Sequence, residues 1–176
     1  MTTDLQYPIG RFNYDQPYTE SEREKLIRQL AATPAELREA YIELPRGGVD
    51  TPYRPGGWTA RQVIHHVPES HMNSYLRFKF AMTENEPTIK PYDEAVWAMQ
   101  PDVATTPLEV SLMLLDALHA RWVAFLETLK PEDWDRSFRH PEIGRVTLDR
   151  ALGLYAWHGR HHTAHLRLIR DAAAAR

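Results

Sequence analysis

Helix-start signals and apolar spacing divide the 176-residue sequence into four long helical segments. A threonine followed three residues later by glutamate or glutamine is typical of a helix start, and this pattern occurs at Thr33, Thr59 and Thr106. The predicted helices cover residues 19–44, 59 to about 82, 107 to about 130, and about 148 to the alanine-rich end. Pro34, directly after Thr33, predicts that the first helix restarts or kinks there. Because the connections differ in length, we expect an all-α fold, a four-helix bundle with long crossover connections.

The segments between the predicted helices are rich in proline and glycine. Residues 1–18 mix these with aromatic residues, which predicts an extended N-terminal arm over the surface of the fold, within reach of a partner subunit. Residues 84–105 form the predicted crossover, and a small hairpin is predicted over 138–147. Pro68 lies inside the second helix and predicts a bend, because it removes one backbone amide. We expect a single domain over 1–176.

Composition narrows the classes of function. Apolar residues make up 43% and charged residues 26%, which is typical of a globular protein, and the net charge of -3 gives no basic field for nucleic acid. Cysteine is absent, which excludes disulfides, thiolate metal sites and a cysteine nucleophile. The N-terminal residues contain no apolar signal region and no run of 18 apolar residues occurs, so we expect no membrane interaction and a cytoplasmic location.

Seven of the nine histidines fall into two short clusters. These are His65, His66 and His71 in the second predicted helix, and His158, His161, His162 and His165 in the fourth. The fourth helix thus carries two pairs four residues apart, His158/His162 and His161/His165, and each pair places two imidazoles on one helix face. Helical periodicity does not choose between the pairs. We read the remaining two histidines, His119 and His140, as ordinary.

The two clusters together favour a metal site. A single histidine in a helix is more often a core or surface residue, but bundles build metal sites from side chains on facing helices, and here both helices offer imidazoles. Without cysteine, the ligands must be nitrogen or oxygen. Neither a G-x-S-x-G elbow nor a glycine-rich phosphate loop occurs, so metal chemistry is the only chemistry indicated.

A general base is harder to find in the sequence. The H-E-x-x-H arrangement is absent, because His162 follows His161. Glu69, three residues after His66, is a candidate for proton transfer or for supporting a ligand, although a solvated helix glutamate is the commoner interpretation.

The run T-P-Y-R-P-G-G-W-T-A-R-Q-V-I-H-H-V-P-E-S-H over residues 51–71 resembles the DinB/YfiT-like superfamily. The resemblance continues through residues 72–79 and includes 7–10, 89–94 and 151–158, so it covers nearly the whole chain. It is closest to the YfiT-like branch, whose members are described as metal-dependent hydrolases, while the wider superfamily includes bacillithiol S-transferases.

The resemblance implies a four-helix bundle, often dimeric, with one zinc or nickel ion per subunit bound by three histidines. One ligand comes from the second helix and two from the fourth. Carried over to this sequence, the ligands are His66, His161 and His165. His71, His158 and His162 then become core residues or supports for the ligands.

Three neutral imidazoles leave a coordination position open, as catalytic sites require. Bound water, with its pKa lowered to about 7, supports a metal-dependent hydrolase of a small-molecule substrate. The same position could hold the thiolate of a low-molecular-weight thiol, which gives an S-transferase for electrophile detoxification. A non-catalytic metal-binding protein is the third hypothesis. The ligands alone do not discriminate among the three, and the resemblance alone suggests a homodimer.

Overall fold

Four long helices make up most of the structure, a computed structural model that describes residues 4–15 and 17–175. They are α1 (Glu20–Ile42), α2 (Ala60–Thr83), α5 (Leu108–Leu126) and α6 (Leu148–Ala174). All four predicted helices are therefore confirmed, with the third shorter than expected. Within the described residues, no helix combines the length and the apolar character that crossing a bilayer requires.

The connections contain short elements that the sequence analysis only partly anticipated. Two short helices, α3 (Glu94–Trp97) and α4 (Pro101–Thr105), interrupt the predicted crossover. Single turns of 3-10 helix cover Gly48–Asp50 and Pro131–Asp135. The predicted hairpin is confirmed as β1 (Ser137–His140) and β2 (Gly144–Thr147), which pair antiparallel immediately before α6.

Threonine side chains cap the starts of three long helices, α1 at Thr19, α2 at Thr59 and α6 at Thr147. The start of α2 is confirmed, because the Thr59 hydroxyl accepts a hydrogen bond from the Gln62 amide at 3.3 Å and the Gln62 side chain accepts one from the Thr59 amide at 2.9 Å. Thr106, in contrast, closes α4 by donating its amide to the Asp102 carbonyl. The predicted start of the third helix at Thr106 is therefore wrong, and α5 begins after Pro107 without a side-chain cap.

Pro34 lies inside α1 rather than at a new helix start. The helix is continuous from Glu20 to Ile42, so the predicted restart is wrong. The Thr33 hydroxyl donates to the Gln29 carbonyl at 3.2 Å instead of capping the following residues. Because proline has no amide hydrogen, the Leu30 carbonyl, four residues earlier, loses its partner within the helix.

The core consists of two apolar clusters with a polar layer between them. One cluster surrounds Phe78 and Trp122, and the other surrounds Leu37 and Ile64. Along α2, α5 and α6, histidines occupy the positions between the two clusters. We call the following set the histidine layer: His66, His71, His119, His158 and His162. A layer of imidazoles inside a bundle needs hydrogen-bond partners, since unpaired polar groups are costly to bury.

The N-terminal segment runs along α6. Its main anchor is the buried Asp149 carboxylate, which accepts hydrogen bonds from the Tyr14 hydroxyl and the Tyr18 amide, each at 2.9 Å. Further along, the Trp157 indole donates to the Gly10 carbonyl at 3.1 Å. Of the arm predicted over 1–18, residues 1–3 and 16 lie outside the described residues. The single-domain boundary of 1–176 stays a prediction.

Gly159 sets the distance between α1 and α6. A Cβ atom at this position would lie 2.5 Å from Thr33 Oγ1 and 2.6 Å from Thr33 Cγ2, which is closer than van der Waals contact allows. Alanine at 159 therefore has to push the two helices apart, although alanine itself favours a helix.

We expect Gly159→Ala to lower the free energy of unfolding by about 1–3 kcal/mol, because overpacking outweighs the gain in helix propensity. Urea unfolding followed by circular dichroism measures this loss. The double variant Thr33→Ala/Gly159→Ala, which removes both overlapping atoms, should regain most of the stability. A single variant as stable as the natural chain would contradict the close-approach explanation.

Candidate metal centre

Helices α2 and α6 pack against each other and direct histidines from both sides towards one cavity. His66 on α2 is buried, as are His161, His162 and His165 on α6. The cavity has a volume of about 460 Å³, which is typical of small-molecule sites. Aromatic side chains from the N-terminal segment and from the loop before α2 complete its walls, in particular Tyr7, Tyr53 and Trp58.

Among the described residues, the histidines form two groups in which ring nitrogens from all members lie within 4.8 Å of one another. The first group is His66, His158 and His162, and the second is His161, His162 and His165. In the first group, the Nε2 atoms of His66 and His158 are 3.3 Å apart. In the second, the Nδ1 atoms of His162 and His165 are also 3.3 Å apart. His162 therefore belongs to both groups.

The predicted ligand set of His66, His161 and His165 is not one of these groups. The structure assigns His66 to the first and the other two to the second. The rotation of α6 explains the difference: the rings of His158 and His162 meet His66, with centroid separations of 5.3 and 4.9 Å. His161 and His165 lie against the aromatic walls instead. Of the two pairs that the spacing left open, His158/His162 is the one that forms a ligand group with His66.

Aromatic rings stack on His161 and His165. The Trp157 ring stacks on His161 with centroids 4.3 Å apart, and Tyr7 lies on it at 5.8 Å. Tyr53 stacks on His165 at 3.8 Å. Trp157 lies on α6 itself, four residues before His161, whereas Tyr7 and Tyr53 lie far from α6 in sequence. The spacing of the histidines could not reveal the contacts of the two tyrosines.

Burial keeps the clustered imidazoles neutral at physiological pH. Desolvation, together with neighbouring His161, lowers the pKa of His66 to about 4. Burial also lowers the pKa of His158 and His162 well below the usual value, and the surrounding histidines lower it further. The neutral form is the one whose lone pair binds a metal ion.

The donor set of the first group fits a divalent ion. Two nitrogens bound at ~2.05 Å to a tetrahedral ion lie ~3.3 Å apart, which matches the 3.3 Å between His66 Nε2 and His158 Nε2. Nitrogen ligands without thiolates or carboxylates suit zinc and nickel. Two further ring atoms, Nδ1 of His66 and Nδ1 of His161, are buried with no hydrogen-bond partner among the described residues. The cluster is thus short of hydrogen-bond partners among the described residues.

His71 and His119 continue the cluster into the bundle. His71 Nε2 is 3.1 Å from His158 Nδ1, and His71 Nδ1 is 2.8 Å from His119 Nε2. His119 Nδ1 donates to the Leu30 carbonyl at 2.8 Å. His119, read as ordinary from the sequence, thus lies in the core and joins the cluster to a backbone carbonyl. The sequence did carry a signal, because His119 continues the apolar stripe that Leu112, Leu115 and Trp122 form on the third helix.

The remaining sequence candidates lie in different places. His140, also read as ordinary, lines the cavity. Glu69 is half-buried and is not among the residues that line the cavity, and burial and then Asp102 raise the pKa of its carboxyl group. The carboxylates that do line the cavity are those of Glu94 and Glu142. A catalytic role for Glu69 stays a prediction.

Comparison with known proteins identifies the family of this chain. A family model described as the DinB superfamily matches residues 29–166. The chain belongs to the DinB superfamily. A "Putative metal-dependent hydrolase" from Bacillus mycoides (strain KBAB4) is 55% identical over 168 residues, which are 96% of each chain. Another with that name, from Bacillus cereus (strain B4264), is 54% identical over 167 residues, covering 95% of this DinB chain and 96% of the relative.

Solved structures confirm the bundle. YfiT from Bacillus subtilis, described as "a probable metal-dependent hydrolase with an unusual four-helix bundle topology", superimposes with a TM-score of 0.94 at 44% identity. The match covers 97% of this DinB chain and 98% of YfiT. TT2238, "a four-helix bundle protein", matches with a TM-score of 0.58 at 20% identity, over 88% of this chain and 99% of that one, and so supports the fold alone. The expected fold class and family are both confirmed.

Proposed function

We propose that this DinB-superfamily chain is a metal-dependent hydrolase of a small molecule, with one divalent ion held by His66, His158 and His162. The observation that carries the proposal is the convergence of these three neutral imidazoles beside a cavity of about 460 Å³. The relatives at 54–55% identity carry the name of metal-dependent hydrolases, which supports the reaction class. Zinc or nickel is the ion that nitrogen donors favour.

A bound divalent ion would polarise a substrate carbonyl and lower the pKa of water to about 7. The chain's own residues would supply the remaining functions. The aromatic rings of Tyr7, Tyr53 and Trp58 cover the cluster and limit the access of bulk water. Burial raises the pKa of Tyr92 to about 12, so its hydroxyl keeps its proton and can donate to substrate from the cavity wall.

The charges of the cavity support a substrate with an anionic group. Arg54 and Arg77 both line the cavity, and neither makes an ion pair with a carboxylate of the described residues. The negative residues of the cavity, Glu94 and Glu142, also line a neighbouring pocket together with Asp93. Each of these two guanidinium groups could therefore bind an anionic group of the substrate through paired hydrogen bonds.

A homodimer is part of the proposal. Helix α2 presents a stripe of Met72, Leu76 and Phe80, which are 36%, 45% and 44% exposed and follow a four-residue spacing. An apolar stripe of this kind is typical of a contact surface. Sedimentation equilibrium measures the mass of the assembly directly. The cytoplasmic location expected from the sequence stays a prediction.

The ligand assignment is tested by the metal content of purified chain and of His158→Ala and His161→Ala variants, after incubation with zinc or nickel. We expect the natural chain and His161→Ala to hold about one ion per subunit, because His161 is not in the proposed ligand set. His158→Ala should hold little or none, since it loses one of three ligands. Circular dichroism checks that both variants are folded.

Other outcomes would be equally clear. Loss of metal from His161→Ala with retention by His158→Ala would favour the ligand set predicted from the resemblance. A natural chain that remains metal-free after both incubations would contradict the proposal of a metal site.

The reaction class is tested by assaying zinc-loaded chain on a pair of matched aryl esters, one of which carries a carboxylate, with and without a small thiol such as cysteine. We expect hydrolysis without thiol, faster for the anionic ester, and none in His158→Ala. Product formed only when thiol is present would identify the S-transferase instead. Absence of both activities would leave a non-catalytic metal-binding protein.

A further inference from the structure

The hydrogen bonds behind His158 fix which of its nitrogens carries the proton. A backbone carbonyl can only accept, so His119 must donate from Nδ1 to Leu30. A neutral imidazole has one N–H, so His119 Nε2 accepts from His71 Nδ1. His71 Nε2 then accepts from His158 Nδ1. His158 is therefore protonated on Nδ1, and its Nε2 lone pair faces His66 across 3.3 Å.

A second, shorter series acts on His162 in the same way. The Gln6 carbonyl accepts a hydrogen bond from His165 Nε2 at 3.3 Å. His165 Nδ1 is then an acceptor, and the ring nitrogen 3.3 Å from it is His162 Nδ1. His162 is therefore also protonated on Nδ1, and Nε2 is its lone-pair nitrogen. The second histidine group of the site thus supports the first.

We infer that two backbone carbonyls, those of Leu30 and Gln6, set the tautomers of His158 and His162 through His119, His71 and His165, and so direct both Nε2 lone pairs towards one ion. His71, His119 and His165 are positioning residues in this scheme and do not bind the ion. The inference deepens the proposed function and rests on it for the identity of the ligands. The hydrogen-bond series themselves do not require the ion.

Pro34 leaves the acceptor of the longer series without a competing helical amide. In an unbroken helix the Leu30 carbonyl would accept the amide of residue 34, but proline has none. The Leu30 carbonyl therefore has no helical amide as a partner, and Nδ1 of His119 on α5 donates to it at 2.8 Å. A residue that weakens α1 thereby supplies the fixed acceptor on which the tautomers of three histidines depend.

The tautomers are measured in metal-free chain, at a pH where the rings are neutral, by nitrogen-15 spectra of the imidazoles. We expect Nδ1–H forms for His71, His119, His158 and His162, and an Nε2–H form for His165. An Nε2–H form of His158 or His162 would overturn the inference. Because no ion is present in this experiment, its result does not depend on the proposed metal site.

Zinc affinity, measured by competition with a chelator, tests the effect on the site. His119→Ala and His165→Ala should bind zinc about 10–100-fold more weakly, the usual effect of losing a group that orients a ligand. Glutamine at either position can donate to the carbonyl and accept from the next ring, so His119→Gln and His165→Gln should bind nearly as tightly as the natural chain. His65→Ala serves as the matched control with unchanged affinity, because the His65 ring contacts Ser111, belongs to neither series and does not line the cavity.

Pro34→Ala separates positioning from stability. Alanine restores an amide that competes with His119 for the Leu30 carbonyl, so zinc binding should weaken while the denaturation midpoint stays the same or rises. Unchanged zinc affinity in this variant, or failure of the glutamine variants to retain binding, would overturn the inference. A natural chain with the expected tautomers but no zinc binding would contradict the proposed function and leave the tautomer assignment intact.

Discussion

The hydrogen bond from His119 to the Leu30 carbonyl is the contact on which the interior of this bundle depends. Five imidazoles occupy a layer between two apolar clusters, where an unpaired polar atom is costly. A neutral imidazole that donates one hydrogen bond can accept another, so the rings can form a series of hydrogen bonds. The last ring of the series still needs a partner that only accepts, such as a backbone carbonyl. Pro34 provides that acceptor by leaving one carbonyl of α1 without its helical partner. The position of Pro34 in α1 therefore affects which nitrogen of His119 on α5 carries the proton.

The same reasoning explains why the N-terminal segment lies along α6. His162 needs an acceptor for its Nδ1 proton, and the nitrogen 3.3 Å from it is His165 Nδ1. The segment provides one through Gln6 and His165, and Asp149 fixes its course by accepting from Tyr14 and Tyr18. The arm is therefore part of the site as well as a cover for the fold.

Much of the architecture could be predicted from local sequence because the signals are local. The cap at Thr59 and the spacing of apolar residues gave helix positions that the structure confirms. Signals failed where a neighbouring element competed for the same residue. The residues that follow Thr106 match a helix start, but the Thr106 amide donates to the Asp102 carbonyl and so ends α4. Thr33 likewise lay within a helix that had begun earlier.

The histidine site shows the limit of such reasoning more sharply. A four-residue spacing indicates that two rings lie on one face of a helix, and both histidine pairs on α6 have this spacing. The choice between them depends on the rotation of α6 against α2 and on the stacking of Tyr53 and Tyr7, which lie more than a hundred residues away in sequence. His119 could have been recognised, because a histidine within an apolar stripe must find a buried partner. That partner could have been sought at the carbonyl four residues before Pro34, since a proline inside a helix always leaves one acceptor free. Buried histidines and helix-internal prolines can therefore be considered together when a bundle sequence is read.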